Sequence, residues 1–213
     1  MNMMSHDDGR PRVGISRCLL GDEVRYDGGH KRDALLISTL GALVEWVAVC
    51  PEVEVGMGTP REAIDLIESD DGVPAGQARV RLLGAESRTD WTETMTAWSA
   101  ARAQTFADLD GYVLKSDSPS CGLQGVRVHG SAGVTGVGRG LFAEALVRML
   151  PDLPVEEERR LHDQSLREDF LSRVSAYRRH RLATPNPETR IPDPGQAAAV
   201  SVEVPSRSAG TLS

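Results

Sequence analysis

The chain has three thiols, Cys18, Cys50 and Cys121, and each stands where a thiol can do chemistry. An odd, widely spaced set is a poor disulfide framework, and it lacks the CxxC pairs of zinc ribbons and fingers. By number alone, three buried structural thiols are the default, because free cysteine is among the most buried residue types. The local sequence argues otherwise. Cys18 follows the apolar run PRVGIS (11–16), Cys50 closes VEWVAVC (44–50), and Cys121 lies just beyond GYVLKS (111–116). Three thiols, each delivered by the end of a buried strand, can form one soft-metal site.

The elements that must position them follow from periodicity. The three apolar runs read as short strands buried on both faces. Asp33 is a candidate N-cap for the helical segment ALLISTLGALV (34–44). A long helix from Thr89 or Asp90 to about Leu109 carries Trp91, Met95, Trp98 and Phe106 as an apolar core stripe, and LFAEALVRML (141–150) forms another helix. EAIDLI (62–67) and ARVRLL (78–83) flank a turn-rich stretch and suggest a hairpin, and GVRVHG (125–130) reads as a further strand. SAGVTGVGRG (131–140) reads as a glycine-rich loop opening a helix; as a phosphate loop its spacing fits neither the dinucleotide nor the Walker pattern. Residues 153–181 read as a charged, amphipathic helical region. Strands alternating with helices predict a single-domain α/β fold, with a mostly parallel sheet and helices on both faces. Ligands of such sheets bind outside the carboxyl ends of the strands, so the three thiols are expected to meet at that rim.

Composition sets the outer bounds. The 213 residues are 40% hydrophobic, 26% charged and only 4% aromatic, an ordinary globular balance built on small aliphatics. A net charge of -7 argues against a broad electrostatic footprint on nucleic acid. Arg25, His30, Lys31 and Arg32 form a local basic patch beside the first cysteine. No apolar run approaches the roughly 18 residues of a membrane span. The start MNMMSHDDGRPR lacks an apolar signal region, so a cytoplasmic protein is expected. Residues 1–10 and the Pro-, Ser-, Ala- and Gly-rich stretch 182–213 are expected to be disordered, leaving 11–181 as the domain. No obligate protein partner is evident. At the rim itself two metal sites stay open: zinc with three thiolates and an open position, or a cubane cluster with one iron lacking a protein ligand.

Longer blocks add a resemblance. SRCLLGDEVRYDGGHKRD (16–33), CPEVEVGMGTPREA (50–63) and LKSDSPSCG (114–122) resemble the signature blocks of the thiouracil desulfurase family, formerly a domain of unknown function. GRGLFAEALVRMLPDLPVEEERRL (138–161) and the helix up to Arg181 are similar to its closing part, so the resemblance spans residues 11–181. It implies that Cys18, Cys50 and Cys121 hold a [4Fe–4S] cluster whose fourth iron takes the sulfur of the substrate. It implies that Glu52 is the general base that activates water, and that Ser118 is a catalytic serine, although Ser-Pro is also ordinary turn chemistry. Ser16 and Ser120 become candidates for hydrogen bonds to cluster sulfur. Tyr26, Asp27, His30, Lys31 and Arg32 become candidates for the substrate mouth, stacking a pyrimidine or holding a phosphate; Asp27 to Gly29 alternatively make a turn.

The implied activity is non-redox, hydrolytic removal of sulfur from thiouracil, a thiouridine nucleotide or 4-thiouridine in tRNA, with release of sulfide. The blocks are most similar to the desulfurase half of two-domain tRNA 4-thiouridine desulfidases. Where those proteins carry a helical second domain, residues 183–213 are low in complexity. The rival classes are a non-catalytic iron–sulfur or zinc protein and a module that recognises thiolated tRNA without cleaving it.

Overall fold

The computed structural model describes residues 9–69, 79–131 and 133–183. The chain runs β1 (Arg12–Ser16), α1 (Ala34–Leu40), β2 (Glu45–Val49), α2 (Pro51–Glu54), β3 (Ile64–Ser69), β4 (Arg79–Gly84) and α3 (Thr92–Gln104). It continues through β5 (Gly111–Leu114), β6 (Val126–Gly130), β7 (Gly133–Gly138), α4 (Leu141–Met149), β8 (Val155–Glu157) and α5 (Gln164–Ala183).

The parallel sheet expected from the strand–helix alternation is there, in the order β2-β1-β5-β8. Val13 and Ile15 of β1 face one side with Val113 of β5, where Leu36 and Leu40 of α1 and Phe170 and Val174 of α5 cover them. Tyr112 and Leu114 face the other side and pack with Phe106, Phe142 and Leu146. Helices therefore cover both faces. Gly14 pairs with Tyr112 in the register, and a Cβ there would lie 2.2 Å from the tyrosine ring. The missing side chain is the space the ring occupies. Asp33 caps α1 as expected, accepting from the Leu36 N–H at 3.0 Å.

A second sheet, in the order β4-β3-β6-β7, has a parallel central pair and antiparallel outer pairs. Its Leu66, Leu82, Val126 and Val128 close on Met95, with Trp91 and Trp98 packed against them. Trp98 also belongs to the core of the first sheet, so α3 is shared between the two.

Some sequence readings change. The glycine-rich stretch 131–140 contains β7, an exposed strand held by pairing with β6 rather than by any apolar side-chain pattern. Nor does it cradle phosphate. The first N–H groups of α4 are taken, Leu141 by the Pro119 carbonyl at 3.2 Å and Phe142 by the Ser120 carbonyl at 3.0 Å. A Cβ on Gly140 would stand 2.4 Å from the Ser120 backbone, so that glycine serves close packing. Residues 153–181 are not one helical region: β8 and a 3-10 turn precede α5. The helix expected over 89–109 is confined to Thr92–Gln104. At the end, α5 runs to Ala183, beyond the expected domain boundary at 181. The expectations for residues 1–8 and 184–213 lie outside the described residues. Among the described residues, no helix is long and apolar enough to cross a membrane.

One buried carboxylate fixes α5 to the sheet. Asp110 is fully buried and accepts from the Arg12 N–H at 2.9 Å, Arg178 Nη1 at 3.0 Å and Arg181 Nη2 at 2.8 Å. Asp110→Ala would strand two partly buried guanidinium groups. The expected loss is about 3 kcal/mol, seen as a lower urea midpoint. An unchanged midpoint would show that these pairs do not secure the helix.

Candidate active site

All four strands of the parallel sheet send chemistry past their C-terminal ends. After β1, a 3-10 turn over Arg17–Leu20 carries Cys18; Gly21, at φ 108, closes the turn and donates to the Cys18 carbonyl at 3.3 Å. After β2, Cys50 is the N-cap of α2, which places Glu52 in the first helical turn. After β5, the loop from Lys115 returns on itself, and the Ser118 hydroxyl accepts from the N–H groups of Ser120 at 3.2 Å and Cys121 at 3.0 Å. After β8 comes Glu158, buried, accepting from the Ser116 N–H at 2.6 Å and from the Ser116 hydroxyl at 2.7 Å, and pairing with Lys115.

The ends of β1, β2 and β5, with Arg159 beyond β8, line one open cavity of about 390 Å³. The expected rim is there: Cys18, Cys50, Cys121, Glu52 and Ser118 all contribute to its wall, together with Tyr26 and Lys31. The other three mouth candidates do not line it. Asp27 instead accepts from the Gly29 N–H at 3.0 Å and closes a turn. His30 Nδ1 accepts from the Arg32 N–H at 3.1 Å, and the Arg32 side chain lies against Gly21. The turn chemistry of this loop points those side chains along the loop rather than into the cavity. Sequence reasoning missed Arg61, Lys115, Ser116 and Glu158. The first three lie inside the blocks that carry the cysteines, and that proximity was the available signal.

The thiols sit among charges. Burial first, and then the Glu52 charge, pushes Cys18 up to about 11 and Cys50 up to about 12. Cys121 is raised well above the ordinary thiol range, chiefly by burial and then by Glu52, against a hydrogen bond with Ser16. The Cys50 thiol donates to Glu52 Oε2 at 3.3 Å, and Arg61 Nη2 stands 4.0 Å from the same oxygen. Among the described residues, Ser120 Oγ is buried without a hydrogen-bond partner. Three thiols and a carboxylate are thus held in one desolvated wall, an arrangement that a positively charged soft-metal centre would relieve.

The sequence model of the 2-thiouracil desulfurase family matches residues 13–158. The chain belongs to that family. A curated relative, the uncharacterized protein YbbK of Bacillus subtilis (strain 168), is 30% identical over 147 residues, 65% of this chain and 93% of that protein. Among solved structures, the [4Fe–4S]-dependent thiouracil desulfidase TudS is 28% identical and superposes with a TM-score of 0.54, over 75% of this chain and 99% of that one. This member of the 2-thiouracil desulfurase family is therefore an enzyme, a desulfidase, which sets aside the readings as a non-catalytic metal protein or a recognition module.

Proposed function

We propose that this desulfidase hydrolyses a small thiolated pyrimidine, thiouracil or its nucleotide, to the oxo-pyrimidine and sulfide, using a [4Fe–4S] cluster held by Cys18, Cys50 and Cys121. The observation that carries this reading is the convergence of three strand-end thiols and Glu52 on one cavity. The donor set fits the cluster. Thiolates are the ligands such clusters take, and Ser16, hydrogen-bonded to Cys121, lines the same cavity. Among the described residues no three His, Cys, Asp or Glu side chains are gathered as around one ion, so the fit rests on the donor types and their shared cavity. When bound, the cluster would supply a thiophilic Lewis acid at the iron that no cysteine ligates.

The chain's own residues supply the rest. Glu52 is a buried carboxylate beside Cys50, placed to take a proton from the water that attacks the thiocarbonyl carbon. Ser118 spends its oxygen lone pairs on two backbone N–H groups, which leaves its O–H to donate into the cavity. Lys115 is fully engaged by the Ser116 carbonyl, the Ser116 hydroxyl and Glu158, so it acts as a fixed charge and not as a proton donor. Tyr26, with Arg25 5.3 Å from its ring centre, offers a face for the pyrimidine. Arg25, Lys31 and Arg127 at the wall suit the phosphate of a nucleotide. The net charge of -7 gives tRNA no broad cationic surface.

The test is anaerobic reconstitution, then a sulfide-release assay with 2-thiouracil, 4-thiouracil, 4-thio-UMP and thiolated tRNA. Sulfide and oxo-product should appear in equal amounts from a free base or the nucleotide. Fully loaded protein that releases sulfide from none of the small substrates would overturn the proposal.

A further inference from the structure

Among the polar groups of the cavity wall that the reaction leaves unused, Arg61 is the most constrained. Its side chain is 9% exposed. Nη1 donates to the Val24 carbonyl at 3.0 Å and the Gly58 carbonyl at 2.8 Å, and the backbone N–H donates to the Tyr26 carbonyl at 2.9 Å. These bonds fix the guanidinium plane. Among the described residues the opposite edge makes no hydrogen bond and faces Glu52 only as a long ion pair. Nε is buried without a hydrogen-bond partner, and Nη2 is 4.0 Å from Glu52 Oε2, too far for a hydrogen bond. A buried cation with an idle donor edge is costly, and such groups call for a missing acceptor.

The chemistry of the substrate supplies one. In 2-thiouracil and in 4-thiouracil alike, the thiocarbonyl is followed round the ring by an N–H and then by a carbonyl. Either isomer therefore offers the same arc: sulfur, ring N–H, oxygen. Glu52 works at the thiocarbonyl carbon, and Arg61 is its neighbour on the wall. Resting on the function proposed above, we infer that the free edge of Arg61 donates to the ring carbonyl that flanks the thiocarbonyl across the ring nitrogen. Arg61 is then the residue that selects uracil-type rings. A cytosine-type ring presents an amino donor at that place and meets Arg61 donor to donor.

The test compares 2-thiouracil with pyrimidine-2-thione, which lacks the carbonyl, and with 2-thiocytosine, using reconstituted wild type and Arg61→Met. The ratio of kcat/KM values within one preparation does not depend on the fraction of active protein. Wild type should prefer 2-thiouracil over both analogues by about 10- to 100-fold, the worth of a hydrogen bond from a charged donor. In Arg61→Met that preference should collapse, through loss on 2-thiouracil rather than gain on pyrimidine-2-thione. Equilibrium titration with uracil, which is not turned over, should show a Kd weakened by the same factor. Unchanged preference or unchanged uracil affinity in the variant would assign Arg61 to loop anchoring alone.

If Arg61→Met fails to hold iron, Arg61→Lys, which keeps the charge but not the paired donors, replaces it in the same comparison. Equal handling of 2-thiouracil and pyrimidine-2-thione by wild type, or an unchanged preference in Arg61→Lys, overturns the inference, and a preference that falls in Arg61→Lys upholds it. Loaded wild type that releases sulfide from no thiopyrimidine removes the proposed function and this inference together, whereas activity without carbonyl preference removes only the inference.

Discussion

Changing any one of Cys18, Cys50 or Cys121 to alanine is expected to reduce sulfide release to background and to strip most of the iron, against about four irons per chain in the wild type. The three residues offer a sharp contrast because their burial differs. Cys121 is 4% exposed and packs in the core with Leu114 and Phe142, Cys50 is 7% exposed, and Cys18 is only half-buried. Were they ordinary core thiols, the effects would follow burial: largest at Cys121, smallest at Cys18, and visible mainly as lost stability. As ligands of one cluster, the three should be equivalent in activity despite that gradient. The triple variant should then be no worse than any single one, as for groups that act as a unit. Urea midpoints of the iron-free proteins separate the two contributions, since Cys121→Ala removes the most deeply buried of the three thiols and should cost the most. A normal cluster spectrum and turnover in one of the variants would take that cysteine out of the ligand set.

What made these thiols legible was position rather than number. Each follows a run such as RVGIS, EWVAV or GYVL; EWVAV, expected to be buried on both faces, is a half-buried edge strand, yet its apolar run still marks where the strand ends. Parallel pairing then brings the three ends to one rim, and the model of the rim as a shared site follows from topology. The second sheet was less legible for the opposite reason. GVTGVG has no buried face, and what makes it a strand is its partner β6, a relationship that no local window contains. The stretch PVEEERR misled in a different way. Three consecutive glutamates look like a solvated helix face, yet Glu156, Glu157 and Glu158 are all buried. Each finds its own partner: Arg160 for Glu156, the Leu123 N–H for Glu157, and Ser116 with Lys115 for Glu158. Three of those four partners lie more than thirty residues away in sequence. Of the cavity wall, the cysteines could be read from the strand ends, whereas Glu52 and Ser118 were singled out by the family resemblance. Arg61 could not, because only the fold brings the Val24 and Gly58 carbonyls to the same nitrogen and leaves the other edge toward Glu52.

Glu52→Gln is expected to leave the iron in place and to stop the chemistry. Glu52 lies in the first turn of α2, and its backbone carbonyl accepts from the Met57 N–H at 3.0 Å. Its side chain meets the Cys50 thiol at 3.3 Å and has the Arg61 guanidinium nearby. Glutamine keeps the shape, the backbone bond and one carbonyl oxygen to accept from a donor, but it cannot take a proton at neutral pH. If Glu52 only stabilises this turn, the variant should fold less stably or load less iron, while turnover per iron changes little. If it is the base that activates water, iron content should match wild type and turnover per iron should fall by roughly a hundredfold or more, the usual scale of general acid–base groups. Normalising to measured iron is essential, because partial loading would imitate a catalytic defect. Equilibrium binding of uracil gives the complementary reading. Binding within a few-fold of wild type, with turnover lost, places the defect in the reaction and not in the shape of the cavity. A Glu52→Gln protein that desulfurates at the wild-type rate per iron would end the assignment. Ser118 would not inherit the role of base, because its oxygen already accepts from the Ser120 and Cys121 N–H groups and has only its hydrogen to offer.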